Sequence, residues 1–148
     1  MALLGTDGVS YGETNIGGNV GDVNVGYNSW TNLNNTWYKW VVPSAGHYRL
    51  VLTCRTRVWS TTGFIRCRII RNSDSNAPGS FTRMLFENGA NSGNAFNCQN
   101  TLEWIVDTPQ SSGDTWYPQF STNNNSSNTS IQSDHNGYNN CMWYKIGD

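Results

Sequence analysis

Alternation of apolar and polar residues with a period of two is the feature that most constrains the fold of this chain. In residues 47–58 the even-numbered positions are mostly apolar, whereas the odd-numbered ones are mostly threonine and arginine. Residues 64–71 repeat the pattern, with arginines at even positions. Because successive side chains of a β-strand point to opposite faces of its sheet, each segment predicts a strand with one buried and one polar face.

Further short strands are predicted where aromatic and β-branched residues cluster between turn signals. They lie at residues 37–42, 81–86, 95–98, 101–106, 115–120, 129–131 and 141–146. Pro118 predicts a bulge or a sheet edge, because proline has no amide hydrogen to donate to a neighbouring strand. Together these segments predict an all-β sandwich of about eight to ten antiparallel strands.

The two alternating segments are joined by residues 60–63, which predict a turn and hence a hairpin with one apolar and one arginine face. In such a hairpin Cys54 and Cys67 face each other, so a cross-strand disulfide is compatible with the pattern. Reduced, buried thiols are the alternative, because four cysteines in 148 residues are too sparse for a disulfide scaffold.

The length of 148 residues suffices for one core and is too short for two. Residues 1–29 predict an extended, Gly/Asn-rich N-terminal arm with one short strand near position 24, because frequent glycine weakens a strand interior. Residues 30–148 form the predicted sandwich domain. An arm of this kind can lie across a neighbouring subunit and become ordered on binding. The candidate interface residues in and beside it are Val23, Val25, Tyr27 and Trp30.

Arginine dominates the basic residues, since seven of the nine are arginines. Five of them lie on the polar side of the predicted hairpin and predict one positive surface: Arg49, Arg55, Arg57, Arg66 and Arg68. Guanidinium groups form bidentate pairs with carboxylates, so this surface suits an acidic partner or a subunit interface, with a solvated sheet face as the alternative. Nucleic acid is not an expected partner, because the sequence pI is near 6.0, whereas nucleic-acid-binding domains usually exceed about 9.

Aromatic residues are abundant, with 7 Trp and 7 Tyr. Five of these alternate within predicted strands and are assigned to the core: Trp37, Trp40, Tyr48, Trp104 and Trp143. Three others lie near loops or strand ends and are candidates for contact with a protein or a sugar: Trp59, Trp116 and Tyr138.

Signals for catalysis are weak. Residues 8–12 match G-x-S-x-G, but a hydrolase elbow requires a strand before the serine and a helix after it, and neither is predicted. The two histidines, His47 and His135, lack the spacing of metal ligands. No carboxylate pair or calcium loop is suggested. We therefore expect a protein that is not an enzyme and has no cofactor.

Residues 38–50 contain an aromatic strand, then Val-Pro-x-Ala-Gly, then x-Tyr-x-Leu. A strand at 64–72, a leucine-containing strand at 102–106, Gly-Asp-Thr-Trp at 113–116 and a short apolar end at 142–148 follow in order. This succession resembles the complement-type globular head and tumour-necrosis-factor-like jelly-roll domains over residues 30–148. The resemblance implies a jelly roll of about ten strands that assembles as a homotrimer. A collagen-like stalk and the Asp-rich calcium cluster of some members are missing.

A small chain with this composition and a trimer-type jelly roll resembles bacteriophage virion proteins. The leading hypothesis is a capsid cement or decoration protein, made in the host cytoplasm and located on the virion surface, whose partner is the major capsid protein. No membrane association is expected, because the apolar opening of the chain is only four residues long. One alternative is a receptor-binding knob or tail-fibre tip whose loops at 88–97 and 121–140 contact host surface glycans. Others are a lectin-like module and, more remotely, a glycan-cleaving enzyme.

Overall fold

The computed structural model describes residues 2–4, 10–14, 22–32, 39–59, 63–72, 83–88, 95–106, 115–123, 129–131 and 140–148. Regular structure in these ranges is entirely β-strand, which confirms the predicted all-β class. The strands are β1 (Ala2–Leu4), β2 (Ser10–Thr14), β3 (Val23–Asn24), β4 (Thr31–Asn32), β5 (Trp40–Val41), β6 (His47–Trp59), β7 (Gly63–Arg71), β8 (Arg83–Asn88), β9 (Ala95–Val106), β10 (Thr115–Thr122), β11 (Ser130–Ile131) and β12 (Asn140–Gly147). The described residues therefore contain 12 strands, more than the eight to ten expected. Four of the 12 have only two residues.

The strands pair antiparallel in two sheets. The seven-stranded sheet has the order β1–β2–β12–β6–β11–β3, with β9 also paired to β6. The five-stranded sheet has the order β4–β10–β7–β8, with β5 also paired to β10. Among the described residues there is no helix whose length and hydropathy would allow it to cross a bilayer.

Strand pairing is nested along the chain. β7 pairs with β8, and β6 pairs with β9 around them. Outside these, β4 and β5 pair with β10, and β2 pairs with β12. Between these last two pairs along the chain, β3 pairs with β11. The chain is thus a ribbon folded back on itself. The first three pairs lie in alternate sheets, and the β3–β11 and β2–β12 pairs both lie in the seven-stranded sheet.

One core is shared by the two sheets, as in a β-sandwich. Strand β6 contributes Tyr48, Leu50, Leu52 and Cys54, which are all buried, so the predicted inner face of this segment is confirmed. Strand β7 contributes Ile65, Cys67 and Ile69 in the same way. Since both sets belong to a single buried cluster, the inner faces of the two sheets pack against each other.

Four of the aromatic residues assigned to the core are buried as predicted: Trp40, Tyr48, Trp104 and Trp143. The fifth, Trp37, lies outside the described residues. The rings of Trp40 and Trp104 meet edge to face, with centroids 6.1 Å apart. The indole Nε1 of Trp40 donates a hydrogen bond to the carbonyl oxygen of Val51 at 3.2 Å. The buried indole is thus satisfied by the backbone of β6.

The hairpin predicted from the two alternating segments is wrong. β6 lies in the seven-stranded sheet, where β9 occupies one edge and β12 and β11 occupy the other. β7 lies in the five-stranded sheet between β8 and β10. Alternation identified which side chains face inward, but β6 and β7 each have both edges paired with strands other than each other.

Two other strand predictions differ from the structure. Residues 95–98 and 101–106 form the single strand β9, because Gln99 and Asn100 continue the pairing opposite Arg55 and Cys54. Pro118 lies within β10, paired on one edge with Ile69. On the other edge the neighbour changes from β5 to β4 around this proline. The missing amide donor therefore falls where one neighbouring strand replaces another.

The predicted N-terminal arm supplies three strands. β1 pairs with β2, β2 extends the seven-stranded sheet beyond β12, and β3 pairs with β11. Val25 is buried in the core, and Val23 packs against it. The segment is therefore part of the sheet, because β12 and β11 each offer it a hydrogen-bonding edge.

Gly46 precedes β6 with φ of 147°, a conformation that favours glycine. A Cβ at this position would lie 2.4 Å from Lys145 Cε and 2.6 Å from the carbonyl oxygen of Gly147. We expect Gly46→Ala to lower the free energy of unfolding by about 1–3 kcal/mol, measured by chemical denaturation.

The matched control is Gly147→Ala, where an added Cβ finds its nearest neighbour, His47 Cδ2, at 3.7 Å. This distance is an ordinary van der Waals contact, so the substitution should change stability by less than about 0.5 kcal/mol. Equal stability losses in the two variants would contradict the assignment of strain to Gly46.

Candidate binding surfaces

The five arginines predicted to form one positive surface lie on opposite sides of the sandwich. Arg49, Arg55 and Arg57 are on the outer face of β6, in the seven-stranded sheet. Arg66 and Arg68 are on the outer face of β7, in the five-stranded sheet. The single arginine face is wrong for the same reason as the hairpin, since β6 and β7 belong to different sheets.

On the seven-stranded sheet, two of these arginines form ion pairs within the chain. Arg49 makes a bidentate pair with Glu103 on the neighbouring strand β9, and its guanidinium also lies 5.5 Å from the ring centroid of Tyr144. This hydrogen-bonded pair raises the pKa of Arg49 and lowers that of Glu103. Arg57 lies 3.6 Å from Asp22. The positive charges of this face are thus largely neutralised locally.

Around Arg49, the strand register places apolar side chains in a compact group that we call the outer block. One row across β12, β6 and β9 contains Tyr144, Arg49 and Ile105. The next row contains Met142, Val51 and Glu103. Ile105 is 54% exposed, more than any other large hydrophobic side chain of the described residues. The outer block therefore presents aliphatic and aromatic surface beside one internal ion pair.

On the five-stranded sheet, a turn at residues 26–30 brings Trp30 to the outer face. Asn28, with φ of 47°, donates its amide to the carbonyl oxygen of Thr122 at 2.7 Å. The amide of Gly26 donates to Thr31 Oγ1 at 2.8 Å. Asparagine tolerates this left-handed conformation better than most residues. The turn is therefore fastened to the end of β10, and Trp30 follows directly.

Trp30, Arg66 and Arg68 form what we call the arginine–tryptophan cluster. The guanidinium carbons of Arg66 and Arg68 lie 4.9 and 4.3 Å from the centroid of the Trp30 ring. Both distances are within the range of cation–π attraction, about 6 Å. Neither arginine forms an ion pair with a carboxylate of the described residues. Two like charges thus share one indole without an acidic partner in that part of the chain.

Strand β10 supports the cluster from the neighbouring position. Arg68 Nε donates to Gln119 Oε1 at 2.7 Å, and Gln119 Nε2 donates to Asn32 Oδ1 at 2.6 Å. Gln119 is buried, so this chain of hydrogen bonds holds the Arg68 side chain in place. Burial and the nearby positive charge of Arg66 lower the pKa of Arg68.

Two buried polar atoms in and beside the cluster have no hydrogen-bond partner among the described residues. They are Arg66 Nε and the hydroxyl Oγ of Ser121. Ser121 pairs with Arg66 across β10 and β7, so both atoms belong to neighbouring residues on one face. Buried polar groups are normally hydrogen-bonded, so each unsatisfied atom calls for a water, an ion or another partner.

The remaining predicted contact residues have different positions. Trp116 was predicted to be exposed and is fully buried, because it lies in β10 between β7 and β5 with its side chain in the core. Val25 is likewise buried and is unavailable to a partner. Tyr27 is 52% exposed. Trp59 is the last residue of β6, and Tyr138 lies outside the described residues.

All four cysteines are free thiols in the structure. Cys54, Cys67 and Cys141 are buried, and Cys98 is half-buried. Burial, followed by the neighbouring Cys98, raises the pKa of Cys54 to about 12. Burial, with smaller contributions from neighbouring cysteines, also raises the pKa values of Cys67 and Cys141. Cys54 and Cys67 are therefore protonated core residues, each belonging to a different sheet.

Sequence reasoning did not identify the residues that border the arginine–tryptophan cluster, namely Gln119, Ser121 and Asn32. The period-two pattern of β10 does indicate that the side chain of Gln119 points to the opposite face of the sheet from those of Trp116 and Phe120. The hydrogen bond to Arg68 could not be inferred from that pattern, because the two residues are 51 positions apart in the chain.

The burial of the thiols predicts their reactivity. With a thiol reagent at about pH 8, near the ordinary thiol pKa, the native protein should show one fast-reacting cysteine, and the denatured protein four. Replacing Cys98 with serine should remove the fast reaction, because Cys98 is the half-buried thiol. A mass measurement that finds fewer than four alkylated cysteines after denaturation without reductant would show a disulfide instead.

The raised thiol pKa values also predict a loss of stability at high pH. A thiol whose folded-state pKa is raised stabilises the fold fully below its unfolded-state pKa and progressively less above it. For Cys54 the window runs from about 8.5 in the unfolded chain to about 12 in the folded one. The free energy of unfolding should fall across this range, and the fall should be smaller in Cys54→Ala. An identical pH dependence in that variant would contradict the assignment.

Comparison with known proteins does not assign the chain to a group. No protein-family model matches it, and no curated protein sequence does. The function must therefore be inferred from the residues of the chain and their geometry.

Proposed function

We propose that this protein is a structural protein of a virus particle, a jelly-roll decoration or cement protein that binds the outer capsid as a trimer and stabilises it. It acts through its surfaces and carries out no chemical step. The observation that carries the proposal is the nested antiparallel pairing of the strands, and the outer block supplies a surface for self-association.

Nested pairing supports a jelly roll because that fold is an antiparallel ribbon wrapped around a double-sheet core. Here the β7–β8, β6–β9 and β4/β5–β10 pairs alternate between the sheets, and the two outermost pairs, β3–β11 and β2–β12, both lie in the seven-stranded sheet. Jelly rolls are used repeatedly in viral capsid and lectin domains. Since one fold serves many functions, the topology supports the class of protein, and the surfaces must support the role.

The outer block supports self-association. Ile105, Met142 and Tyr144 surround an ion pair that already neutralises Arg49 and Glu103. A second copy can cover this surface without burying an unpaired charge, which would be strongly unfavourable. Apolar and aromatic side chains are typical of the centre of an oligomer interface.

The outer block also locates the contact better than the predicted N-terminal arm does. The strands of the first 24 residues are hydrogen-bonded into the seven-stranded sheet, and Val25 is in the core. Removing residues 1–29 would therefore expose the edges of β12 and β11 and open the core. Point substitutions on the sheet surface are a cleaner test.

The receptor-binding and lectin alternatives depend mainly on loops at 88–97 and 121–140. Much of both segments lies outside the described residues. Most of the residues that are described belong to strands β8, β9, β10, β11 and β12. No observation on the described residues favours these alternatives over the decoration protein, so they stay predictions.

The outer block yields a test of self-association. The wild-type protein should sediment with three times the mass of one chain, 16.5 kDa, and Ile105→Asp should shift it to the monomer by placing a charge in the interface. Because Ile105 is largely exposed in the single chain, the substitution should alter folding stability by less than about 0.5 kcal/mol. Analytical ultracentrifugation and chemical denaturation measure the two quantities.

Val41→Asp is the matched control, because Val41 is also an exposed apolar residue, 43% accessible, on β5 of the other sheet. It should leave the trimer intact. A monomeric wild-type protein, or equal dissociation by both variants, would overturn the trimer. The role on the particle is tested by immunogold labelling of intact virions with an antibody against the recombinant protein. Unlabelled virions would overturn the decoration function.

A further inference from the structure

The arginine–tryptophan cluster has the features of a site built for a negatively charged ligand. Arg66 and Arg68 lie two residues apart on one face of β7, and both guanidiniums lie over the ring of Trp30. Among the described residues no carboxylate pairs with either of them. This distinguishes them from Arg49 and Arg57, whose charges are paired within the chain.

The cluster is also preorganised. Gln119 holds Arg68 through a hydrogen bond of 2.7 Å and is itself held by Asn32. Trp30 is positioned by the turn that is fastened to Thr122. Holding two like charges next to each other is unfavourable without an anion, and the lowered pKa of Arg68 reflects burial and this repulsion. An anion that bound there would relieve the repulsion.

The hydrogen-bonding groups of the cluster indicate a carboxylate. Guanidinium groups only donate hydrogen bonds, and an ionised carboxylate only accepts them. The oxygen of the Gln119 amide accepts from Arg68 and its nitrogen donates to Asn32, so this buried amide holds the arginine in place. A neutral sugar hydroxyl has no charge to offset the two guanidiniums, so it is less well matched than a carboxylate.

The spacing of the two arginines indicates a polypeptide. Alternate residues of a strand lie about 6.5–7 Å apart and on one face. An extended segment with acidic residues at alternate positions, lying along β7, matches Arg66 and Arg68 in register. The guanidiniums already lie over the Trp30 ring, so the ring face they cover cannot stack against a sugar.

We propose that Arg66, Arg68 and Trp30 bind an extended acidic segment of a partner protein, with carboxylates at alternate positions paired to the two guanidiniums. This inference rests on the proposed function for the nature of the partner, which would be a virion protein. The carboxylate specificity stands on the geometry of the cluster alone.

The test is calorimetric titration of the full chain with two synthetic peptides of equal composition. One has glutamate and serine in strict alternation, and the other has its glutamates adjacent in pairs. The alternating peptide should bind at least about tenfold more tightly, equivalent to about 1.4 kcal/mol. Arg66→Gln combined with Arg68→Gln should abolish the difference. Arg55→Gln combined with Arg57→Gln, which removes two charges from the outer face of β6 in the opposite sheet, should change affinity less than about twofold.

Because Arg66 Nε is buried, a second variant that keeps the charge controls for misfolding of the glutamine variant: Arg66→Lys with Arg68→Lys. Lysine cannot form the planar bidentate pair, so this variant should also lose about tenfold in affinity. Wild-type affinity in the lysine variant, or equal binding of the two peptides, would overturn the site in favour of unspecific charge attraction.

Parallel titrations with a sialylated and a sulfated oligosaccharide test the class of ligand. Tighter binding of either sugar than of the alternating peptide would overturn the choice of a polypeptide. If the protein binds the peptide but its antibody does not label virions, the acidic-segment site is supported and the decoration function is overturned. If the antibody labels virions but the peptide does not bind, the decoration function is supported and the site is overturned.

Discussion

Hydrogen bonding along both edges of β6 is the constraint on which the rest of the sandwich depends. β9 pairs with it from Tyr48 to Trp59, and β12 and β11 share the opposite edge. A shift of one residue in this register would turn Leu50 and Leu52 outward and bring Arg49 into the core. Burying an unpaired guanidinium is strongly unfavourable. The alternation of β6 therefore determines the register of its three neighbours, β9, β11 and β12.

The placement of β6 and β7 in opposite sheets determines the chemistry of both surfaces. On the β6 side, Arg49 finds Glu103 across the strand pair, and the charges cancel beside apolar residues. On the β7 side, Arg66 and Arg68 face Trp30 and a neutral amide. A face with cancelled charge favours burial against another apolar surface, whereas unpaired guanidiniums favour an acidic ligand. The same residue type therefore supports two different interactions.

Local patterns predicted a large part of the fold and less of the site. The inner faces of β6 and β7 followed from alternation, because a side chain's direction depends only on its position along the strand. Trp116 was wrongly predicted to be a contact residue because it lies close to a predicted loop. That position gave no information about β10 lying between β5 and β7 in the sheet. The cluster required the turn at Asn28, which depends on a hydrogen bond to Thr122 far along the chain.

By itself, the sequence determined that this chain forms β-strands and which side chains of the two longest alternating segments are buried. Those properties are local, since they arise from the pleat of each strand and the hydrophobic effect. Only the tertiary structure decided which strands are neighbours, and hence that the arginines divide between two faces and that Trp30 meets Arg66 and Arg68. Strand edges offer the same backbone donors and acceptors everywhere, so the choice among partners depends on how the whole core packs.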